Sequence, residues 1–150
     1  MTERMNLAEL EPGAYEAMLG LEKYLSRSTL PKSLRHLVEL RASQINGCAY
    51  CVDMHSSEAK AQGESDARLH AVAVWREAPF FDERERAALE LTEAVTRLSD
   101  GHGVPDDVWQ QAAKHFDEHE LAQLLMMITT INAWNRISVA TRKVPASYQG

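Results

Sequence analysis

The stretch from about Glu118 to Thr141 constrains the fold most. Leu121, Leu124, Leu125, Met126, Met127, Ile128, Ile131, Ala133, Trp134, Ile137 and Val139 surround it on nearly all sides at helical spacing. A helix that is apolar all round has to be covered all round. Such a helix sits at the centre of a bundle or in a subunit interface, and the length of this one favours both. The longest unbroken apolar run, Leu124 to Ile128, is far below the roughly 18 residues of a membrane span.

The rest of the chain repeats the helical period, with glycine and proline at the breaks and no convincing two-residue alternation. The spacing predicts a first helix over Gly13–Ser26. A second runs from near Pro31 to Asn46-Gly47, and a third from about Cys48 to Gln62, stopped by Gly63. A fourth is capped by Ser65 and ends near Glu77. A fifth is capped by Asp82 and reaches about Ser99. Pro105-Asp106-Asp107 opens a short sixth helix, and Asp117 opens the seventh. With 150 residues, no linker and no repeat, the expectation is one all-α domain spanning residues 1–150.

Composition narrows the function classes. Twenty-two acidic against sixteen basic residues give a net charge of −6, which argues against nucleic acid or an anionic membrane as partner. At 45% hydrophobic and 25% charged, the chain can bury a core without metal or disulfide staples. The N-terminus carries no continuous hydrophobic signal segment, so a cytoplasmic location is expected. In that reducing compartment Cys48 and Cys51, the only two cysteines, point to redox chemistry or a metal rather than a structural framework.

On a helical wheel Cys48, Cys51, Val52, His55, Ala59 and Gln62 share one face of the third helix. Cys51 is then one turn from both Cys48 and His55. Cys48 lies at the helix start, where unpaired N–H groups and the dipole stabilise a thiolate. His55 can accept the proton of Cys51. The dipole favours Cys48 as the first to react and the histidine favours Cys51, so the spacing leaves the order open. The second helix supplies the facing wall, with Leu34, Leu37, Val38, Ala42 and Ile45 on its apolar arc and Arg41 and Gln44 inside it. Arg41 is expected to pair with a core carboxylate or a helix end. His36 lies at the edge of the arc.

The segment Arg41 to His55, RASQINGCAYCVDMH, resembles the signature of AhpD-like alkylhydroperoxidases within the carboxymuconolactone decarboxylase superfamily. The stretches Ala73–Phe80 and Ile131–Arg136 are similar to one branch of that family, and the resemblance covers about residues 30–145. It implies an AhpD-like helical bundle of six to seven helices, associated as trimers or hexamers. It implies a thiol peroxidase with no organic cofactor or metal. The peroxide is reduced by the cysteine pair, and a lipoyl- or thioredoxin-like dithiol restores that pair. It makes Cys51 the peroxide-reactive cysteine, Cys48 the resolving one and His55 part of a proton relay. The family relay usually includes a glutamate twelve residues before the first cysteine. Here that position is His36: either its imidazole takes over the relay, or the relay is broken and the peroxidase activity is weak. Glu39 is nearby but turned away from that position by about 60° on the wheel. Tyr50 replaces a histidine of the prototype.

Three other readings compete. Cys48, Cys51, His55 and His36 make a Cys₂His₂ donor set, although three ligands on one helix is not the usual arrangement. Lactone or decarboxylase chemistry follows only from the superfamily name, and members with that chemistry generally lack the cysteine pair. In a redox-inert assembly protein the cysteines would be small buried hydrophobes. Trp75, Trp109 and Trp134 are expected to be core or interface aromatics, and Met126 and Met127 packing residues. Trp134, Asn135 and Arg136 are candidates to line the thiol pocket, although no spacing argument ties them to it.

Overall fold

The computed structural model describes residues 2–150. Among these residues it contains helices and no strands. The α-helices are α1 Leu7–Leu10, α2 Pro12–Ser26, α3 Lys32–Ile45, α4 Ala49–Ala61, α5 Asp66–Ala71, α6 Glu83–Thr96, α7 Asp106–His115 and α8 Glu118–Thr141.

Local chemistry accounts for most boundaries. Pro12 opens α2, Pro31 precedes α3 and Pro105 precedes α7, positions where a missing N–H costs nothing. Asp82 with Glu85 and Asp117 with Glu120 form reciprocal capping boxes on α6 and α8. Gly47, at φ +67°, turns the chain between α3 and α4, and Gly63, at φ +97°, ends α4.

The structure departs from the sequence expectations at three places. A short α1 precedes α2, capped by the Asn6 side chain, which accepts the N–H groups of Ala8 and Glu9. The fourth expected helix does not reach Glu77. It ends at Ala71 and passes through a 3₁₀ turn at Val72–Val74. The segment that follows is held open by Arg86, whose guanidinium donates to the carbonyls of Arg76, Ala78 and Phe81. Those bonds supply partners that a continued helix would have supplied internally. The fifth helix stops at Thr96, before a 3₁₀ turn at Leu98–Asp100.

The central element is α3, which packs against α4, α6 and α8. Leu34, Leu37, Val38, Leu40 and Ala42 are buried on it, together with His36, Glu39 and Ser43. Helix α8 is covered along Leu121, Leu124, Met127, Ile128 and Ile131. It is not covered all round: Ala122, Thr129, Arg136 and Val139 face outward within this chain. One core cluster joins Leu34, Val38, Leu91, Leu124 and Ile128. A second joins Leu37, Leu40, Val72, Trp75 and Leu89. A small third cluster, Ala42, Cys48, Cys51 and Ile131, closes the end of the bundle that carries the thiols. No helix among the described residues is long and apolar enough to cross a membrane.

Leu124 is completely buried in the first cluster. Leu124→Ala is expected to lower unfolding stability by about 2–5 kcal/mol in urea titrations. A loss below about 1 kcal/mol would contradict this placement of α8.

Candidate active site

The site begins at the turn between α3 and α4. The N–H of Cys48 donates to the carbonyl of Ser43 at 3.0 Å, and Cys48 adopts extended backbone as the N-cap of α4. Its Sγ accepts the N–H of Cys51 at 3.2 Å. One helical turn brings the two Cα atoms to 5.3 Å, and the sulfurs are joined as a disulfide. Both cysteines are buried. They differ in what they face, because Cys51 lines a large cavity and Cys48 does not line it.

That cavity, about 490 Å³, opens between α2, α3, α4 and α8. It falls within the roughly 300–1,000 Å³ of small-molecule pockets. Tyr15, Leu19, Leu30, Met54, Met127 and Trp134 form its apolar side. Its polar side holds Glu22, Arg35, His36, Glu39, His55 and Glu58. Trp134 is therefore a cavity residue as well as a packing one, and its indole N–H donates to Glu22 Oε1 at 2.9 Å. Tyr50 and Lys143 flank the cavity near Cys51, with the Lys143 ammonium 4.3 Å from the centre of the Tyr50 ring. The C-terminal segment is fastened there by Ser147, which bonds to Asp53 through its N–H and its hydroxyl.

His55 projects from α4 onto the same wall, one turn beyond Cys51, and is buried. Its Nδ1 lies 3.6 Å from Glu39 Oε2 and 3.7 Å from Glu58 Oε2. These are ion-pair separations, too long for hydrogen bonds, and neither ring nitrogen has a hydrogen-bond partner among the described residues. Glu39 is also paired with Arg35 Nε at 3.1 Å, and the Arg35 guanidinium continues to Glu22. A connected chain of polar contacts thus runs from the neutral indole of Trp134 to Glu22 and on through Arg35 and Glu39 to His55.

Burial sets the acid–base properties of this chain. It raises Glu39 above the ordinary carboxylate value, and the neighbouring His55 and Arg35 only partly oppose it. Burial by itself would lower His55, but Glu58 and then Glu39 outweigh it, so His55 is raised above its usual 6.5. Glu58, half exposed and beside His55, is lowered in turn. The site therefore pairs an imidazole that holds its proton more tightly than usual with a carboxyl that gives its own up less readily.

Cys48, Cys51 and His55 lie along one end of α4, in the arrangement the spacing suggested. His36 is on the cavity wall but bonds through Nε2 to Gln62 Oε1 at 3.0 Å, and its Nδ1 has no hydrogen-bond partner among the described residues. The buried one of the two carboxylates against His55 is Glu39, which the wheel argument had turned aside. Real packing of α3 on α4 brings Glu39 to face α4. An available signal was the Arg35/Glu39 pair, opposite charges four residues apart on a face that is otherwise buried. Glu58, three residues after His55 on α4, was available from the same helical spacing, whereas Glu22 carried no comparable signal. Arg41 meets its expectation, pairing with Glu93 at 2.9 Å, where Trp75 and Arg76 also donate. No group of three or more histidine, cysteine or acidic side chains among the described residues is arranged to hold a metal ion. The two sulfurs of the Cys₂His₂ reading are bonded to each other.

Comparison with known proteins identifies the family and the fold. The protein is 39% identical over 147 residues to the uncharacterized protein YdfG of Bacillus subtilis, covering 98% of this chain and 99% of that one. It is 36% identical over 114 residues to the uncharacterized protein YnjA of Escherichia coli, covering 76% of this chain and 62% of that protein. A crystal structure from Agrobacterium tumefaciens superposes with a TM-score of 0.94 at 40% identity, over 98% of this chain and all of that one. That protein is of unknown function, and its name provisionally links it to AhpD and antioxidant defence. The debrominase Bmp8 shares the fold, with a TM-score of 0.83 at 22% identity over 93% of this chain and 74% of its own. The family model described as carboxymuconolactone decarboxylase matches residues 12–94, more than half the chain. With its helical bundle and CxxC disulfide, the chain belongs to the carboxymuconolactone decarboxylase family and has the AhpD-like fold.

Proposed function

We propose that the protein is a thiol-dependent peroxidase that reduces organic hydroperoxides through Cys51 and Cys48. The observation that carries the reading is the position of Cys51. It is the cysteine that opens on the cavity, it is bonded to a second cysteine that does not, and an imidazole backed by a carboxylate stands one turn away.

In the reduced protein, Cys51 loses its proton to His55 and attacks the outer peroxide oxygen as a thiolate. The O–O bond breaks, and the departing alkoxide takes a proton from the His55 imidazolium. ROH leaves and Cys51 is a sulfenic acid. The Cys48 thiol attacks that sulfur, forming the disulfide and releasing water. The sum is ROOH plus two thiols giving ROH, water and one disulfide, and an external dithiol reverses the last oxidation. The tight hold of His55 on its proton suits the second half of this cycle, where a donor is needed beside the leaving oxygen. Glu39 orients the ring and balances the imidazolium, a task the sequence reading gave to His36. In this reading His36 helps shape the wall through Gln62. Homo-oligomeric assembly and a lipoyl- or thioredoxin-like reductant belong to the same proposal, carried by the family resemblance.

Peroxide consumption driven by dithiothreitol is expected to fall to background in Cys51→Ser and by about 10²-fold in His55→Ala. Undiminished turnover in Cys51→Ser would overturn the assignment of that cysteine. Glu39→Gln is expected to lose roughly tenfold, with His36→Gln losing less. The reverse order would return the relay to His36. The carboxylates are also visible without turnover, in NMR titration of His55 in the oxidised protein. Its pKa is expected above 6.5 and lower in Glu58→Gln and in Glu39→Gln, because each change removes a negative neighbour and leaves the burial in place. A His55 titration that is the same in all three proteins would contradict the electrostatics described above.

A further inference from the structure

The peroxidase reading uses the cavity side of the thiols. On the opposite side, the turn that carries Cys48 is gripped by α8. Asn46, the last residue before Gly47, donates through Nδ2 to Asn132 Oδ1 and to Asn135 Oδ1, each at 2.9 Å. Asn135, fully buried, donates through its own Nδ2 to Ser43 Oγ at 3.0 Å. The carbonyl of Ser43 takes the N–H of Cys48, and its hydroxyl donates to the carbonyl of Glu39 at 2.6 Å. Asn132 is itself held by Ile128 and Thr96. One α8 side chain therefore touches both Ser43 and Asn46, two residues of the turn that leads into Cys48.

We propose that Asn135, acting through Asn46 and Ser43, is a positioning residue for the dithiol, and that it sets how readily Cys48 and Cys51 form their disulfide. The reason is the joint between them. Gly47 is exposed, has a positive φ, and has nothing within 4 Å of where a side chain would begin. Its backbone has wide freedom. Without an anchor, that freedom would let Cys48 leave the N-cap once the disulfide is reduced. With it, the reduced thiol stays one turn from Cys51 and its effective concentration there remains high. A buried asparagine in an apolar setting is costly unless every polar atom has a partner. Asn135 Oδ1 and Nδ2 both have one, and both partners belong to this turn.

The inference rests on reading Cys48 and Cys51 as a redox pair, but its test involves no peroxide. The protein is equilibrated with glutathione: protein disulfide plus two GSH gives protein dithiol plus GSSG. Asn135→Ala and Asn46→Ala are each expected to shift this equilibrium about tenfold toward the dithiol, or about 30 mV for a two-electron couple. Their double variant is expected to shift it little further, because the two act in one link. Leu124→Ala is the control, since it weakens the core without touching the turn, and its equilibrium constant is expected to match wild type.

Constants within about twofold of wild type in both asparagine variants would overturn the proposal. So would an equal shift in Leu124→Ala, because loss of stability alone would then explain it. A wild-type protein that forms no Cys48–Cys51 disulfide at any glutathione ratio would overturn it together with the peroxidase reading. A shifted equilibrium without peroxide turnover would leave the positioning role standing and remove only the peroxidase.

Discussion

Helix α3 is buried against α4, α6 and α8 while carrying charged and polar groups, and the molecule is organised around giving those groups partners. Burying an ion without a partner costs several kcal/mol after relaxation, so each has one. Arg35 is held between Glu22 and Glu39. Arg41 meets Glu93 on the opposite side of the helix, where Trp75 and Arg76 complete the cluster. Ser43 turns its hydroxyl back to the carbonyl of Glu39 and receives Asn135. These contacts fix the rotation of α3 about its axis, and that rotation decides which side chain faces His55.

Several ordinary features combine at the candidate site. A helix N-cap supplies the position of Cys48, a single helical turn supplies Cys51, and the next supplies His55. None of these is unusual alone. Their placement against a cavity with one apolar and one charged side makes a peroxide a chemically sensible guest. In the proposed reaction the apolar wall would hold an organic substituent, and the charged wall would manage the proton released and then required when an O–O bond breaks. A debrominase has the same fold, so the fold by itself does not choose the chemistry. The side chains around Cys51 do.

Much of this was legible in the sequence because it is local. Helical spacing, capping residues and terminal glycines marked α2, α3, α4 and α8, and the start of α7, to within a residue or two, and the i, i+3, i+4 logic of one helix brought Cys48, Cys51 and His55 together. What was hidden depends on contacts between helices. A wheel gives angles within α3 but not how α3 is rotated against α4, and so Glu39 was set aside in favour of His36. The early end of the fourth expected helix depends on Arg86, which lies in a later helix and reaches back to the chain exit. The roles of Trp134 and Asn135 could not be read from neighbours in sequence, since their partners, Glu22, Ser43 and Asn46, are more than 80 residues away. The apolar surround of α8 correctly marked a core helix, but the most completely covered helix is α3, whose polar residues disguise its burial.

The central claim is that Cys51 and Cys48 together deliver two electrons to a hydroperoxide. Mass spectrometry of the fully reduced protein before and after one equivalent of an alkyl hydroperoxide tests it most directly. The account predicts a loss of two protons, mapped by peptide analysis to a Cys48–Cys51 disulfide and recovered on adding a dithiol. An unchanged mass, or oxidation confined to methionine with both thiols intact, would contradict it.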